Sequence, residues 1–155
     1  MKNSNIQPLI HGVGKRQAGL AAVEFIIALP MLLILTVLVI DVSRAFIQYT
    51  EVNKALQNGA RYAVVETYGT LSFNTIAEES EIKNVVIYGN PVGGSTPILT
   101  YIGVDDVIVT PPTSVTKEVT VSATYNYVPI FLQLPIVGTS LEFSMGASAK
   151  MRTAP

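Results

Sequence analysis

Between residues 20 and 40 the chain runs for about 21 residues with Glu24 as its only ionisable group, and no other stretch limits the fold so severely. At 1.5 Å of rise per residue, a helix of that length extends about 31 Å, close to the thickness of a bilayer's hydrocarbon core. A buried helix of a soluble domain is the competing account, but such helices keep a polar stripe, and residues 26–40 offer none on any side. The run therefore reads as a membrane span. Lys2, Lys15 and Arg16 precede it with no acidic residue before Glu24, whereas the downstream flank mixes Asp41, Arg44, Glu51 and Lys54. By the positive-inside rule, the amino-terminal tail is cytoplasmic and the rest of the chain lies outside. A secretory signal peptide also joins a basic tail to an apolar run, but its apolar region spans only about 7 to 15 residues. The small-x-small candidate after the run, Ser43-Arg44-Ala45, contains a charge, and cleavage there would cut a helical pattern that continues.

Composition closes off several chemistries. Charged residues make up only 14% of the chain, and the deficit lies in the apolar run, since residues 41–81 carry nine of them. With no cysteine, disulfides, thiolate metal sites and cysteine nucleophiles are excluded. The sole histidine, His11, sits in the tail among Pro8, Gly12 and Gly14. Loss of that tail would leave no imidazole for a Ser-His-Asp arrangement or a His-ligated metal. The formal net charge is −1 and no basic run exists beyond the tail, so a nucleic-acid partner has no electrostatic footprint. Asp105-Asp106 read as strand neighbours pointing to opposite faces, and Glu78, Glu79 and Glu81 lack the spacing of a calcium loop. Both groups read as solvated surface. No Gly-rich phosphate loop precedes a helix. The expectation is a protein that is not an enzyme and holds neither cofactor nor metal.

Helical periodicity does not stop at the end of the apolar run. Val42, Phe46, Tyr49, Val52, Leu56, Ala60, Ala63 and Val64 recur at three- and four-residue spacing, opposed by Asp41, Arg44, Gln48, Glu51, Asn58 and Glu66. One helix is expected over residues 20–67, its outer half packed on its own domain in preference to an intermolecular coiled coil. Pro30 removes one helical hydrogen bond inside the span; a hinge role competes with the general tolerance of proline in spanning helices. A loop over 68–72 leads to Asn74 and Thr75, with Glu78 placed for a capping box and a short helix to about Glu81. Residues 84–88 and 104–110 read as strands separated by an irregular loop over 89–97. Val119, Val121, Ala123, Tyr125 and Tyr127 then alternate with polar residues, as do Leu141, Phe143, Met145, Ala147, Ala149 and Met151. The apolar segment 129–137 is core or a contact patch, with core favoured. Ala55, Gly59, Ala60 and Ala63 would let the helix approach the sheet closely. The fold class is α+β: a long amino-terminal helix, membrane-spanning in its first half, packed on a small antiparallel sheet of three to four strands. The organisation reads as a leader (1–19), a span (20–40), an extramembrane helix (41–68) and an outer α+β domain (69–155).

An intramembrane carboxylate is costly and points to function by default, although Glu24 lies only one turn into the span, near the headgroups. Its surroundings favour function. Lys15-Arg16 followed by Gly19-Leu20-Ala21-Ala22-Val23-Glu24-Phe25 resembles the cleavage motif of type IV pilin-like precursors, in its tight-adherence (Flp) branch. With Leu29-Pro30, Asn58-Gly59-Ala60-Arg61-Tyr62-Ala63 and Ala147-Ser148-Ala149-Lys150-Met151-Arg152, the chain resembles the TadE-like family of minor pilins or pseudopilins. The likeness covers the first sixty residues and the last thirty. A family glutamate often follows the final arginine, whereas Thr153-Ala154-Pro155 ends this chain.

The resemblance implies cleavage by a prepilin peptidase between Gly19 and Leu20, with Lys15 and Arg16 holding the leader at the cytoplasmic face. It implies that Glu24 and Phe25 set the register of assembly, Glu24 by pairing with the new amine of Leu20. It also implies an inner-membrane protein with a periplasmic carboxy-terminal domain, incorporation in a surface pilus, and a role in pilus assembly, adhesion and biofilm formation. Its partners would be the lipid bilayer, the peptidase, other pilin-like subunits and the assembly platform. Loss of the leader would leave seven cations against eleven acids, which gives no attraction to anionic surfaces. The alternative is a single-pass anchored periplasmic binding module with no pilus role; a tethered hydrolase is a distant third.

Overall fold

The computed structural model describes residues 14–65, 76–130, 140 and 142–153. Contacts divide the chain into two units, Met1–Ile40 and Asp41–Pro155.

In the first unit, α1 (Gly14–Val65) begins six residues before the expected start. Lys15, Arg16, Gln17 and Ala18 are all good helix formers, and Gly19, inside the helix, costs only about 1 kcal/mol relative to alanine. That is too little to stop a helix with strong formers on both sides. Pro30 lies inside α1 without ending it. The most apolar 18-residue stretch of α1 has a mean hydropathy of 2.8 and none of it is buried. Leu20, Phe25, Ile27, Met31, Leu33 and Leu35 all turn apolar surface outward. A helix this apolar all round has the length and character of a membrane anchor.

The second unit holds the rest of α1, then α2 (Glu79–Tyr88), a single 3-10 turn (Val104–Asp106), and the strands β1 (Val107–Thr110), β2 (Glu118–Tyr127) and β3 (Phe143–Arg152). The strands form one antiparallel sheet in the order β1-β2-β3. Val121 pairs with Val109 on one side and Ala149 on the other, and Tyr127 pairs with Phe143 at the end of the β2–β3 ladder. On β2 the five alternating apolar residues from Val119 to Tyr127 are buried, while Thr124 and Asn126 are exposed. One covered face is what the alternation of period two requires. The core gathers Val52, Leu56, Ala60 and Ala63 of α1, Ile82, Val86 and Ile87 of α2, and Val107, Val119, Val121, Ala147 and Ala149 of the sheet. The α+β class, the long apolar helix and the antiparallel sheet are therefore as the sequence indicates.

Several local expectations are corrected. Residues 84–88, read as a strand from their β-branched content, form the second half of α2. Ile82 and Val86 fall one helical turn apart and are both buried, and this packing overrides β-propensity, which is itself weak. Gly89 closes α2 in the left-handed region (φ 70°), its N–H donating to the Val85 carbonyl at 3.0 Å. Only Val107–Thr110 of the strand expected over 104–110 is a strand. Asp105 and Asp106 lie on the 3-10 turn, where the Asp106 carboxylate accepts from Gly103 N–H at 2.8 Å. Gly59 serves α2, not the sheet, because a Cβ there would collide with the Val86 side chain. The loop expected at 68–72, the capping residues Asn74 and Thr75, His11, Leu141 and most of the apolar segment 129–137 lie outside the described residues.

Candidate processing and assembly site

All six residues singled out from the motif lie on α1, with Lys15 and Arg16 in its first turn. Gly19 stands in open space: a Cβ added there would meet nothing within 4 Å. Packing within the chain therefore gives no reason for a glycine, although a helix interior disfavours one. Leu20 is 72% exposed and Phe25 59%. Glu24 is exposed one turn after Leu20 on the same helix face. Among the described residues, neither a hydrogen bond nor an ion pair reaches its carboxylate. A carboxylate so placed in an apolar stretch has its electrostatic demand unmet among the described residues, and a partner brought to it would be held strongly.

A second constellation went unrecognised in the sequence. Asp41, expected on the polar face of α1, is buried at 6% exposure. Its Oδ1 accepts from the Tyr127 hydroxyl at 3.0 Å and from Ile130 N–H at 3.0 Å, and Oδ2 accepts from the same N–H at 3.2 Å. The Tyr127 hydroxyl also lies 3.1 Å from the Asp41 carbonyl, and the Arg44 guanidinium approaches Oδ1 at 3.8 Å. These donors allow the charge to be buried without a large penalty. Burial, then the bond to Asp41 and its negative charge, push the Tyr127 phenol above its ordinary range; Arg44 opposes the shift. With Asp41 and Ala45 facing inward, Val42 and Phe46 face outward, so the expected apolar stripe of α1 is buried only from Val52 onward.

Farther along α1, the Tyr101 hydroxyl donates to Glu51 Oε2 at 2.8 Å, and the Tyr101 ring lies 5.4 Å from that of Tyr125. Burial first, then the Glu51 contact, raise the Tyr101 phenol; burial and the Glu51 charge do the same at Tyr125, whose buried hydroxyl has no partner among the described residues. Tyr62 donates to Glu81 Oε2 at 3.0 Å and so ties α1 to α2. Three tyrosine–carboxylate pairs thus clip residues 41–65 to the rest of the second unit. A cleft of about 250 Å³ opens beside Glu51, Lys54, Ala55, Val86 and Ile98. Among the described residues, no group of three His, Cys, Asp or Glu side chains could hold a metal. The alternating signal at Tyr127 was legible; its pairing with a residue 86 positions away was not.

Residues 19–61 match the model of the family described as TadE-like protein. The match opens on Gly19 and lies wholly on α1. No curated protein and no solved structure matches the chain.

Proposed function

We propose, from the premise that residues 19–61 are TadE-like and so relate the chain to a Tad pilus system, that this protein is a pilin-like minor subunit or pseudopilin processed after Gly19. In this scheme residues 20–40 hold it in the inner membrane, with its amino terminus cytoplasmic and residues 41–155 periplasmic, until it acts in pilus assembly, adhesion and biofilm formation. One observation carries the proposal. A carboxylate with no partner among the described residues stands in an otherwise apolar stretch of α1, five residues after a glycine that packing does not require.

The chemistry follows from that spacing. Hydrolysis adds water across the Gly19–Leu20 peptide bond, leaving a carboxylate on the leader and an α-amine on Leu20. The bond lies in the second turn of α1, so the peptidase must first unwind the helix start as far as Leu20. Gly19 weakens the helix at the bond to be cut, because glycine is a poor helix former and lets the backbone enter a narrow cleft. Lys15 and Arg16 favour the cytoplasmic face on which cleavage would occur. The new amine is cationic and one turn from Glu24, so the two can neutralise each other within one subunit or between neighbours. In hydrocarbon the paired state is strongly favoured over two separated charges, which fixes the axial register of adjacent helices.

Glu24→Gln is the test, read by processing and by recovery with pilin-like subunits. Full processing with recovery reduced about tenfold or more is expected, since a mispaired charge in a membrane costs more than about 1.4 kcal/mol. Unchanged recovery would leave a membrane-anchored binding module, for which the cleft beside Glu51 and Lys54 is the natural site.

A further inference from the structure

We infer that the Asp41 end of the second unit is seated in the interfacial layer of the bilayer, with Val42, Phe46, Val128, Ile130 and Phe143 as an apolar collar in contact with lipid. The inference rests on residues 20–40 spanning the membrane and adds to it a second, non-helical point of lipid contact.

Chain connectivity fixes the depth. Asp41 follows Ile40 directly, so a span ending at Ile40 leaves Asp41 at the boundary of the hydrocarbon. The headgroup layer beyond that boundary is about 5 to 7 Å thick on each side. The Asp41 carboxylate holds Ile130 N–H at 3.0 Å and the Tyr127 hydroxyl at 3.0 Å. The Tyr127 ring in turn lies 5.3 Å from the ring of Phe143, its ladder partner. The Ile130 amide and the Tyr127 hydroxyl are thus held within hydrogen-bond reach of the residue that directly follows the span, and the Phe143 ring is one ring contact farther. Val42 follows Ile40 by two residues and Phe46 by six, so Val42 is the nearer of the two to the hydrocarbon.

That end of the unit is apolar where water would disfavour it. Val42, Phe46, Val128, Ile130 and Phe143 are between 49% and 69% exposed. An exposed phenylalanine at the last rung of a sheet, with an exposed isoleucine three residues past the strand, is a liability for a domain surrounded by water. In the interfacial layer they are partly removed from it. Tyr127 suits the same depth, with its ring among apolar groups and its hydroxyl on a carboxylate, as tyrosines do in membrane belts. Arg44 is the cation beside Asp41, and its side chain is 46% exposed, within reach of a phosphate. One such cation is not a polybasic patch, so the contact is apolar and does not need anionic lipid.

The chain has no tryptophan, so a single introduced indole reports without background. Ile130→Trp, Phe143→Trp, Leu33→Trp and Val115→Trp would be made in the full chain and reconstituted in phosphatidylcholine vesicles containing a brominated phosphatidylcholine. Val115 is 88% exposed and lies three residues before Glu118, the end of the ten-residue β2 opposite Tyr127. Quenching at 130 and 143 several-fold stronger than at 115, though weaker than at 33, is expected. Strong quenching at 33 with none at 130 and 143 would overturn the collar and leave the span intact. No quenching at 33 would overturn the span and the collar with it. Indoles at 130 and 143 that bromolipid cannot reach but that are shielded from aqueous acrylamide would mean a second copy covers this end, and would also overturn the lipid assignment.

Discussion

Replacing Asp41 with alanine removes the acceptor of two donors at once, and the cost can be worked from the geometry. A hydrogen bond to a charged group contributes about 1.5–3 kcal/mol net. Ile130 N–H, held at 3.0 Å and 3.2 Å by the two carboxylate oxygens, loses its acceptor altogether. The Tyr127 hydroxyl keeps the Asp41 carbonyl at 3.1 Å, so its loss falls at the lower end. The Arg44 contact, at 3.8 Å with a half-exposed guanidinium, adds only about 0–1 kcal/mol. Together these give about 3–5 kcal/mol, concentrated at the β2–β3 end of the sheet. Hydrogen exchange of the full chain in lipid nanodiscs reads it directly. At 1.4 kcal/mol per decade, protection of the Ile130 amide should fall about 140- to 4,000-fold. Protection around Ile82 and Val86 should change far less. Tyr127→Phe should lose about 1–2 kcal/mol, and in the double variant the two effects should fall short of their sum, because both changes remove the same bond. An Asp41→Ala chain with unaltered protection at Ile130 would refute the claim that this carboxylate clips α1 to the sheet.

Alkaline pH should loosen the second unit. The phenols of Tyr101, Tyr125 and Tyr127 are all raised above 10.0 in the folded chain, so between that value and the folded one the native state holds protons that the unfolded state has released. Stability from these groups is then full below pH 10 and declines above it; Tyr101→Phe should flatten the alkaline limb of a thermal-melting profile, and an unchanged limb would contradict the assignment. Gly59→Ala would drive a methyl into the Val86 side chain and should cost about 1–3 kcal/mol by overpacking, seen as a lower melting temperature; a neutral result would mean the α1–α2 contact is looser than described. Gly89→Ala combines a φ of 70° with an Ile98 Cδ1 2.8 Å from the new Cβ, and should cost about 1–2 kcal/mol, measured in the same melts.

Strong periodicity made much of the fold legible in sequence. The period-two alternation of β2 states which face is covered, and the apolar run states where lipid would lie. Residues 84–88 misled because three β-branched side chains in five residues resemble a strand, and only the burial of Ile82 and Val86 one turn apart reveals a helix. Gly59 was recognisable as a point of close approach, but sequence alone could not say against which element. Asp41 was misplaced for a more general reason. A charged residue on a helix is assigned to water unless its partners are known, and here they are a tyrosine and a backbone amide supplied by β2 and the residues after it. The motif at Gly19 and Glu24 was readable as spacing and chemistry. The structure adds that contacts among the described residues account for neither residue.

Processing at Gly19 is tested most directly by intact-mass and amino-terminal analysis of the membrane-bound protein from cells with and without the prepilin peptidase. A chain that starts at Leu20 only when the peptidase is present is the predicted result. Retention of residues 1–19 in both would contradict it.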